Sequence, residues 1–169
     1  MIFCRSALVL PVLLMLSGCF GSKLTGREPA ELRDFKQAAN IEVRWDRNVG
    51  EAGNAGLQPA VTRDAVFVAN ADGELFRLDP VTGKKVWKID TGFKISGGVG
   101  TGEGLVVLGG LKSELAAFDE DGKLRWMTKV SSEVLSAPQI AEGMVVVRTS
   151  DGRIAALSAL DGSRQWLYE

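Results

Sequence analysis

An all-β chain folded as a β-propeller of four-stranded antiparallel blades is what three features of the 169-residue sequence predict together. Trp45, Trp87, Trp126 and Trp166 recur at separations of 42, 39 and 40 residues, and a period of about forty matches one blade. The runs Ala65 to Val68, Leu105 to Leu108 and Met144 to Val147 are apolar on both faces instead of alternating, so each strand must be covered by sheets on either side. Asp72-Gly73, Asp121-Gly122, Asp151-Gly152 and Asp161-Gly162 mark tight turns, because glycine reaches positive φ cheaply. A β-solenoid needs a shorter rung, and an immunoglobulin-like sandwich does not repeat its tryptophan at this period.

Residues 1–18 read as a lipoprotein signal peptide. Arg5 precedes an apolar stretch from Ala7 to Leu16 that ends in Leu16-Ser17-Gly18-Cys19. That stretch is shorter than the roughly 20 residues a membrane-spanning helix needs. The Leu-Ser-Gly-Cys ending resembles the bacterial lipobox, which implies cleavage before Cys19, an S-diacylglyceryl group on its thiol and N-palmitoylation of its amine. The alternative is a secretory signal with a chance cysteine beside the cut. Acyl chains bind a bilayer with about 0.8 kcal/mol per buried methylene, so the mature protein is expected to be lipid-anchored and not membrane-spanning. Phe20 stands where the inner-membrane retention signal has Asp, and the resemblance therefore implies the cell outer membrane, on its periplasmic face. With Cys4 cleaved away and Cys19 acylated, no thiol is left for a disulfide or a metal.

Residues 19–40 form the lipidated N-terminus and a tether. The stretch is polar, carries Gly21, Gly26 and Pro29, and offers one short helical possibility, Ala30 to Ala38, in which Leu32 and Phe35 share a face. As a flexible coil its 22 steps from Cys19 to Ile41 reach roughly 25 to 28 Å, enough to hold a globular body just off a bilayer.

Residues 41–169 form a partial propeller: 41–46 read as the closing strand of the last blade, followed by three repeats ending near Trp87, Trp126 and Trp166. For the first repeat the pattern places strands at Leu57-Val61, Ala65-Asn70, Glu74-Asp79 and Lys85-Ile89. Ala116-Ala117 and Ala155-Ala156 supply small residues where a neighbouring sheet can approach. Gly83, Gly122 and Gly162 each lie four residues before a repeat tryptophan. The tryptophans could be sugar-stacking platforms and the Asp-rich turns calcium loops, but a residue recurring once per blade at one offset is more simply a packing wedge between sheets. Asp79 and Asp119 share a blade position with Ser158, which fits a turn hydrogen bond better than catalysis.

Composition removes several functions. The chain has 20 basic and 21 acidic residues, a net charge of -1 and no histidine. There is no basic surplus for nucleic acid, and no Ser-His-Asp triad, His-bearing zinc site or imidazole base can exist.

The segment Leu78-Asp79-Pro80-Val81-Thr82-Gly83-Lys84-Lys85-Val86-Trp87 resembles the pyrroloquinoline-quinone-type propeller repeat, and Phe118 to Trp126 and Leu157 to Trp166 match it less fully. The repeat specifies a blade and not the cofactor, so no cofactor is expected; the vicinal cysteine pair common in quinoprotein dehydrogenases is absent. A lipobox, a short tether and such blades together look like the BamB lipoprotein family of the outer-membrane β-barrel assembly machinery. Thr128-Lys129-Val130, Leu135-Ser136-Ala137-Pro138, Gly143 and Arg148 to Gly152 are particularly similar to it. The resemblance implies a non-enzymatic scaffold whose partners are the barrel-inserting subunit, BamA, nascent outer-membrane proteins and the membrane through its anchor. It also implies about eight blades, so a final blade completed by Trp45 is expected beyond Glu169. The alternatives are a periplasmic quinoprotein dehydrogenase fragment and a lipid-anchored propeller that binds sugar or peptidoglycan.

A four-stranded meander puts its second-to-third strand turns and its inter-blade connections on one rim. Asn70 to Gly73, Thr91 to Ser96 and Ser131 to Ser136 should therefore share a surface. Phe93, Lys94, Val134 and Leu135 are the partner-binding candidates there, because apolar groups within a charged rim have the composition of a contact patch. The competing reading buries Phe93 and Leu135 at the start of the next inner strand.

Overall fold

The computed structural model describes residues 31–36, 38–53 and 55–169, which places the signal sequence, Cys19 and most of the tether outside the described residues. Two compact units divide between Asn40 and Ile41. In the first, the described residues 31–40 adopt no helix, so the amphipathic turn expected around Leu32 and Phe35 is not formed there; both side chains are exposed.

The second unit is three four-stranded antiparallel sheets, blades of a β-propeller, each a simple meander. Blade 1 contains β1 (Ala60–Val61), β2 (Val66–Ala69), β3 (Glu74–Leu78) and β4 (Lys85–Asp90). Blade 2 contains β5 (Gly100–Gly102), β6 (Leu105–Gly109), β7 (Glu114–Asp119) and β8 (Leu124–Lys129). Blade 3 contains β9 (Gln139–Ala141), β10 (Met144–Arg148), β11 (Ile154–Ser158) and β12 (Arg164–Tyr168). The first strand is shorter than expected, starting at Ala60 and not at Leu57. Residues 41–46, expected as a closing strand, adopt no strand.

The apolar runs lie between sheets, as their double-sided pattern requires. Phe67, Leu75, Ile95, Val106, Leu108, Ala116 and Phe118 form one buried layer between blades 1 and 2. Val107, Leu115, Ala117, Trp126, Val145, Val147, Ala155 and Leu157 form the next, between blades 2 and 3. Adjacent residues such as Val106 and Val107, or Ala116 and Ala117, thus serve opposite layers. A third cluster of Val66, Phe76 and Leu78 is covered by Trp45 and Val49.

Each blade carries the same irregularity. The register of the third and fourth strands slips between Arg77 and Leu78, between Ala117 and Phe118, and between Ala156 and Leu157. The extra residue is Val86, Arg125 or Gln165, the one immediately before the repeat tryptophan. A bulge there increases local twist and turns the tryptophan out of its own sheet.

The turns before these strands explain the recurring Asp. Asp79 Oδ1 accepts the backbone N–H groups of Val81 and Thr82 and the Thr82 hydroxyl, at 3.1, 2.7 and 2.7 Å. Asp119 Oδ1 accepts from Asp121 and Lys123, and Ser158 Oγ accepts the N–H of Leu160. These side chains hold turns, and the same bonds keep the Asp79 carboxyl below its ordinary value, the Thr82 hydroxyl contributing most.

Candidate functional site

The repeat tryptophans form a chain of inter-blade links. Trp45 donates its indole N–H to the Pro80 carbonyl at 3.1 Å, Trp87 to Glu120 at 3.1 Å and Trp126 to Ala159 at 2.9 Å. Each acceptor follows Asp79, Asp119 or Ser158, so one blade's tryptophan always reaches the same turn of the next. The repeat glycine lies under the incoming ring. A Cβ on Gly83 would stand 2.5 Å from Trp45, and one on Gly162 would stand 2.6 Å from Trp126. Gly83, Gly122 and Gly162 also hold φ of +66°, +85° and +72°, so side-chain volume and backbone conformation both select glycine. Trp166 is 44% exposed, and none of the described residues covers it in this way.

The β2–β3, β6–β7 and β10–β11 turns and the connections between blades share one rim. Its backbone is knitted once per repeat: Ala71 N–H bonds to Glu51, Leu111 to Lys94 and Ser150 to Glu133, at 2.9, 3.0 and 2.9 Å. The β2–β3 turn and the blade 1 to 2 connection also meet where the Thr91 hydroxyl donates to the Gly73 carbonyl at 2.8 Å. Single bridges, Ile95 to Gly110 and Val134 to Thr149, pin the inner part of each connection.

These bridges separate the four rim candidates. Lys94 is exposed, and Phe93 is half-buried with its ring over Gly110. Val134 does not belong to an exposed patch: it is 0% exposed and packs with Val107 and Val145, because its bridge to Thr149 turns it into the layer between blades. Leu135 is 47% exposed and holds the place that Ser96 holds one repeat earlier. There the following connection covers the side chain, and Ser96 Oγ donates to the Val134 carbonyl at 2.9 Å. Leu135 thus stays exposed at a position that the following connection covers in the preceding repeat.

Two rim residues escaped sequence reasoning. Leu111 and Lys112 sit in the β6–β7 turn, against Phe93 and Lys94. Their signal was legible: Lys112-Ser113 stands where the other two repeats have Asp72-Gly73 and Asp151-Gly152. Elsewhere on the rim, Thr149 Oγ1 donates to Asp151, and this bond is the main reason that the Asp151 carboxyl is held below its ordinary value. A groove of about 430 Å³ between β8 and the last two strands is flanked by Lys129, Arg153 and Arg164, with Arg153 paired to Asp151 and Glu169. Among the described residues no group of three or more His, Cys, Asp or Glu side chains could hold a metal ion.

A family model described as outer membrane protein assembly factor BamB matches residues 37–96 and 71–169. The BamB of Nitrosomonas eutropha is 38% identical, with 95% of this chain and 43% of the relative covered; that of Burkholderia pseudomallei is 35% identical, with 92% and 41% covered. The chain therefore spans less than half the length of these curated relatives. The crystal structure of BamB from Moraxella catarrhalis superposes with a TM-score of 0.62 at 27% identity over 68% of this chain and 35% of that one. A quinohemoprotein alcohol dehydrogenase from Comamonas testosteroni superposes with a TM-score of 0.61 at 21% identity, covering 75% of this chain and 22% of its own, a likeness of fold alone.

Proposed function

The chain belongs to the BamB family of outer membrane protein assembly factors, and from that membership we propose that the full protein is a non-catalytic scaffold of the outer-membrane β-barrel assembly machinery. In this role it is lipid-anchored through Cys19 at the periplasmic face of the outer membrane. It docks on the barrel-inserting subunit and assists the folding and insertion of nascent outer-membrane proteins. The observation that carries the proposal is the family match along the blades, 38% identity to a protein named for that assembly role. Trp45 seated on Gly83, like Trp126 on Gly162, supports reading residues 41–46 as the last strand of a blade that packs against the first repeat.

The rim is the proposed docking face, with Phe93 and Lys94 as its contacts from the blade 1 to 2 connection. Apolar groups among exposed charges have the composition of a protein contact patch.

The test is capture of the full-length protein with the barrel-inserting subunit from solubilised outer membranes, in parallel with absorbance after reconstitution with a quinone cofactor. Co-purification without a quinone spectrum is expected; a bound quinone with dehydrogenase turnover, and no subunit captured, would sink the scaffold role. A Cys19→Ser variant, assayed without the partner complex, is expected to leave the membrane fraction, since the acyl chains are the anchor.

A further inference from the structure

The three rim positions that share one backbone bond differ in their side chains. In the first and third repeats an acidic connection residue, Glu51 or Glu133, is bonded to a small turn residue, Ala71 or Ser150. In the middle repeat the connection residue is Lys94 and the turn residue is Leu111, 47% exposed. Packing does not require this change, because Leu111 lies outside the buried layers. The turn also gives up its best chemistry. Ser113 holds φ +65° where Gly73 and Gly152 hold +105° and +88°, a region that penalises any residue with a Cβ. A repeat that departs from its own rule at an exposed site is where function is to be sought.

Leu111 stands between two cavities. One, of about 270 Å³, is lined by Phe93, Lys94, Lys112 and Glu114 together with Gly92 and Leu111. The other, of about 310 Å³, is lined by Ala52, Ala71, Ile95 and Glu133, again with Leu111. Lys94 and Lys112 are exposed, and among the described residues neither is in an ion pair. Glu114 turns one carboxylate oxygen onto the Lys112 backbone N–H at 2.9 Å, and its single negative charge against Lys94 and Lys112 leaves the first cavity net positive. Glu133 is the charged group of the second cavity, and it too is in no ion pair among the described residues.

Resting on the scaffold role proposed above, we propose that Leu111 and its two flanking cavities seat one extended segment of a partner protein. An apolar side chain of that segment covers Leu111, an acidic one lies toward Lys94 and Lys112, and a basic one lies toward Glu133. The argument is charge complementarity: unpaired ammonium groups on one side of an exposed leucine and an unpaired carboxylate on the other fix both the partner's composition and its direction.

The experiment measures binding of the full-length protein to the purified barrel-inserting subunit at low and high salt, with the thermal midpoint of every variant recorded. Leu111→Asp is expected to weaken binding about tenfold or more, the effect of losing a central apolar contact. Lys94→Glu and Glu133→Lys are each expected to weaken it at low salt and to flatten the salt dependence. Leu160→Asp, the same change at an exposed leucine in the β11–β12 turn on the opposite rim, is expected to leave affinity unaltered. Leu111 and Lys94 are both exposed, and Lys94→Glu serves as the probe if Leu111→Asp lowers the midpoint. Wild-type binding with unchanged affinity and salt slope in Leu111→Asp, Lys94→Glu and Glu133→Lys would overturn the proposal, as would an equal loss from Leu160→Asp. Failure of the wild-type protein to bind would instead overturn the scaffold role on which the proposal rests.

Discussion

The interface between blades 1 and 2 and the interface between blades 2 and 3 are built from the same repeat with different chemistry. In the second, Trp126 is 8% exposed and lies against Gly162, and the residue paired with it on β7 is Ala117. In the first, Trp87 is only half-buried, and the residue paired with it on β3 is Arg77. Arg77 Nη1 donates to the Glu120 carbonyl at 3.0 Å, the same oxygen that accepts the Trp87 indole at 3.1 Å. Its guanidinium carbon stands 5.9 Å over the Phe67 ring, which in turn meets Trp87 at 6.0 Å with a 47° tilt. The second interface has a different extra fastening: Glu103 accepts the Gly143 N–H with both oxygens, at 3.2 and 3.1 Å, where the first repeat has Arg63 in the place of Glu103. Trp87 and Trp126 therefore both find the carbonyl at their repeat offset, but their burial differs with the strand residue beside them. An alanine lets the next blade close onto the ring, whereas an arginine holds it partly open.

That contrast breaks most visibly on tryptophan removal. In full-length protein, Trp126→Ala is expected to cost about 3 to 5 kcal/mol in denaturant unfolding, with Trp87→Ala clearly less because less of its ring is buried. Equal losses would erase the distinction between the interfaces. The glycines should follow the same order. Gly162→Ala must place a Cβ 2.6 Å from the Trp126 ring at φ +72°, whereas the Cβ of Gly122→Ala meets Trp87 at 3.5 Å and Ile89 at 3.3 Å. The first is expected to lose roughly 2 kcal/mol or more and the second about 1 kcal/mol, mainly the left-handed backbone penalty.

The polar fastenings are expected to matter less. Arg77→Met keeps an unbranched apolar stem but removes the guanidinium over Phe67, its bond to Glu120 and Nε, which is buried without a hydrogen-bond partner. Its stability should stay within about 1 kcal/mol of wild type, and a double-mutant cycle with Asp121→Asn should show coupling under about 0.5 kcal/mol, since Asp121 is 92% exposed. A large coupling would mean that the cation carries the first interface. The smallest effect is in acid. Asp79, Asp151 and Asp161 are held below their ordinary value of 3.8 by hydrogen bonds from Thr82, Thr149 and Ser163. A carboxylate whose folded pKa lies below its unfolded pKa stabilises the fold above the unfolded value, and that contribution disappears as pH falls through the folded one. Midpoints should therefore be insensitive to these groups at neutral pH and decline below pH 3.8, with a shallower decline in Asp79→Asn.

The blades were legible because their signals are local and repeated. The turn role of Asp79, the sharing of Val106 and Val107 between opposite layers, and the seat of each glycine before a tryptophan all follow from offsets within one repeat. Residues 41–46 keep the repeat tryptophan in its seat on Gly83 although they adopt no strand, whereas the Ala30 to Ala38 stretch lies outside the repeated frame and its helical pattern was not met. The rim was half legible. Its location follows from meander topology, and Phe93 and Lys94 do stand on it, but Val134 is internal and Leu111 was passed over.

By itself the sequence determined the period, the meander and the role of each repeat tryptophan as a wedge between sheets, because those follow from backbone geometry a few residues wide and its repetition. Only the tertiary structure decided how deeply each tryptophan is buried, that Arg77 reaches across to Glu120, that Val134 faces the inter-blade layer, and that Leu111 separates two cavities of opposite charge. Those outcomes depend on which side chain a neighbouring blade, some forty residues away, brings alongside.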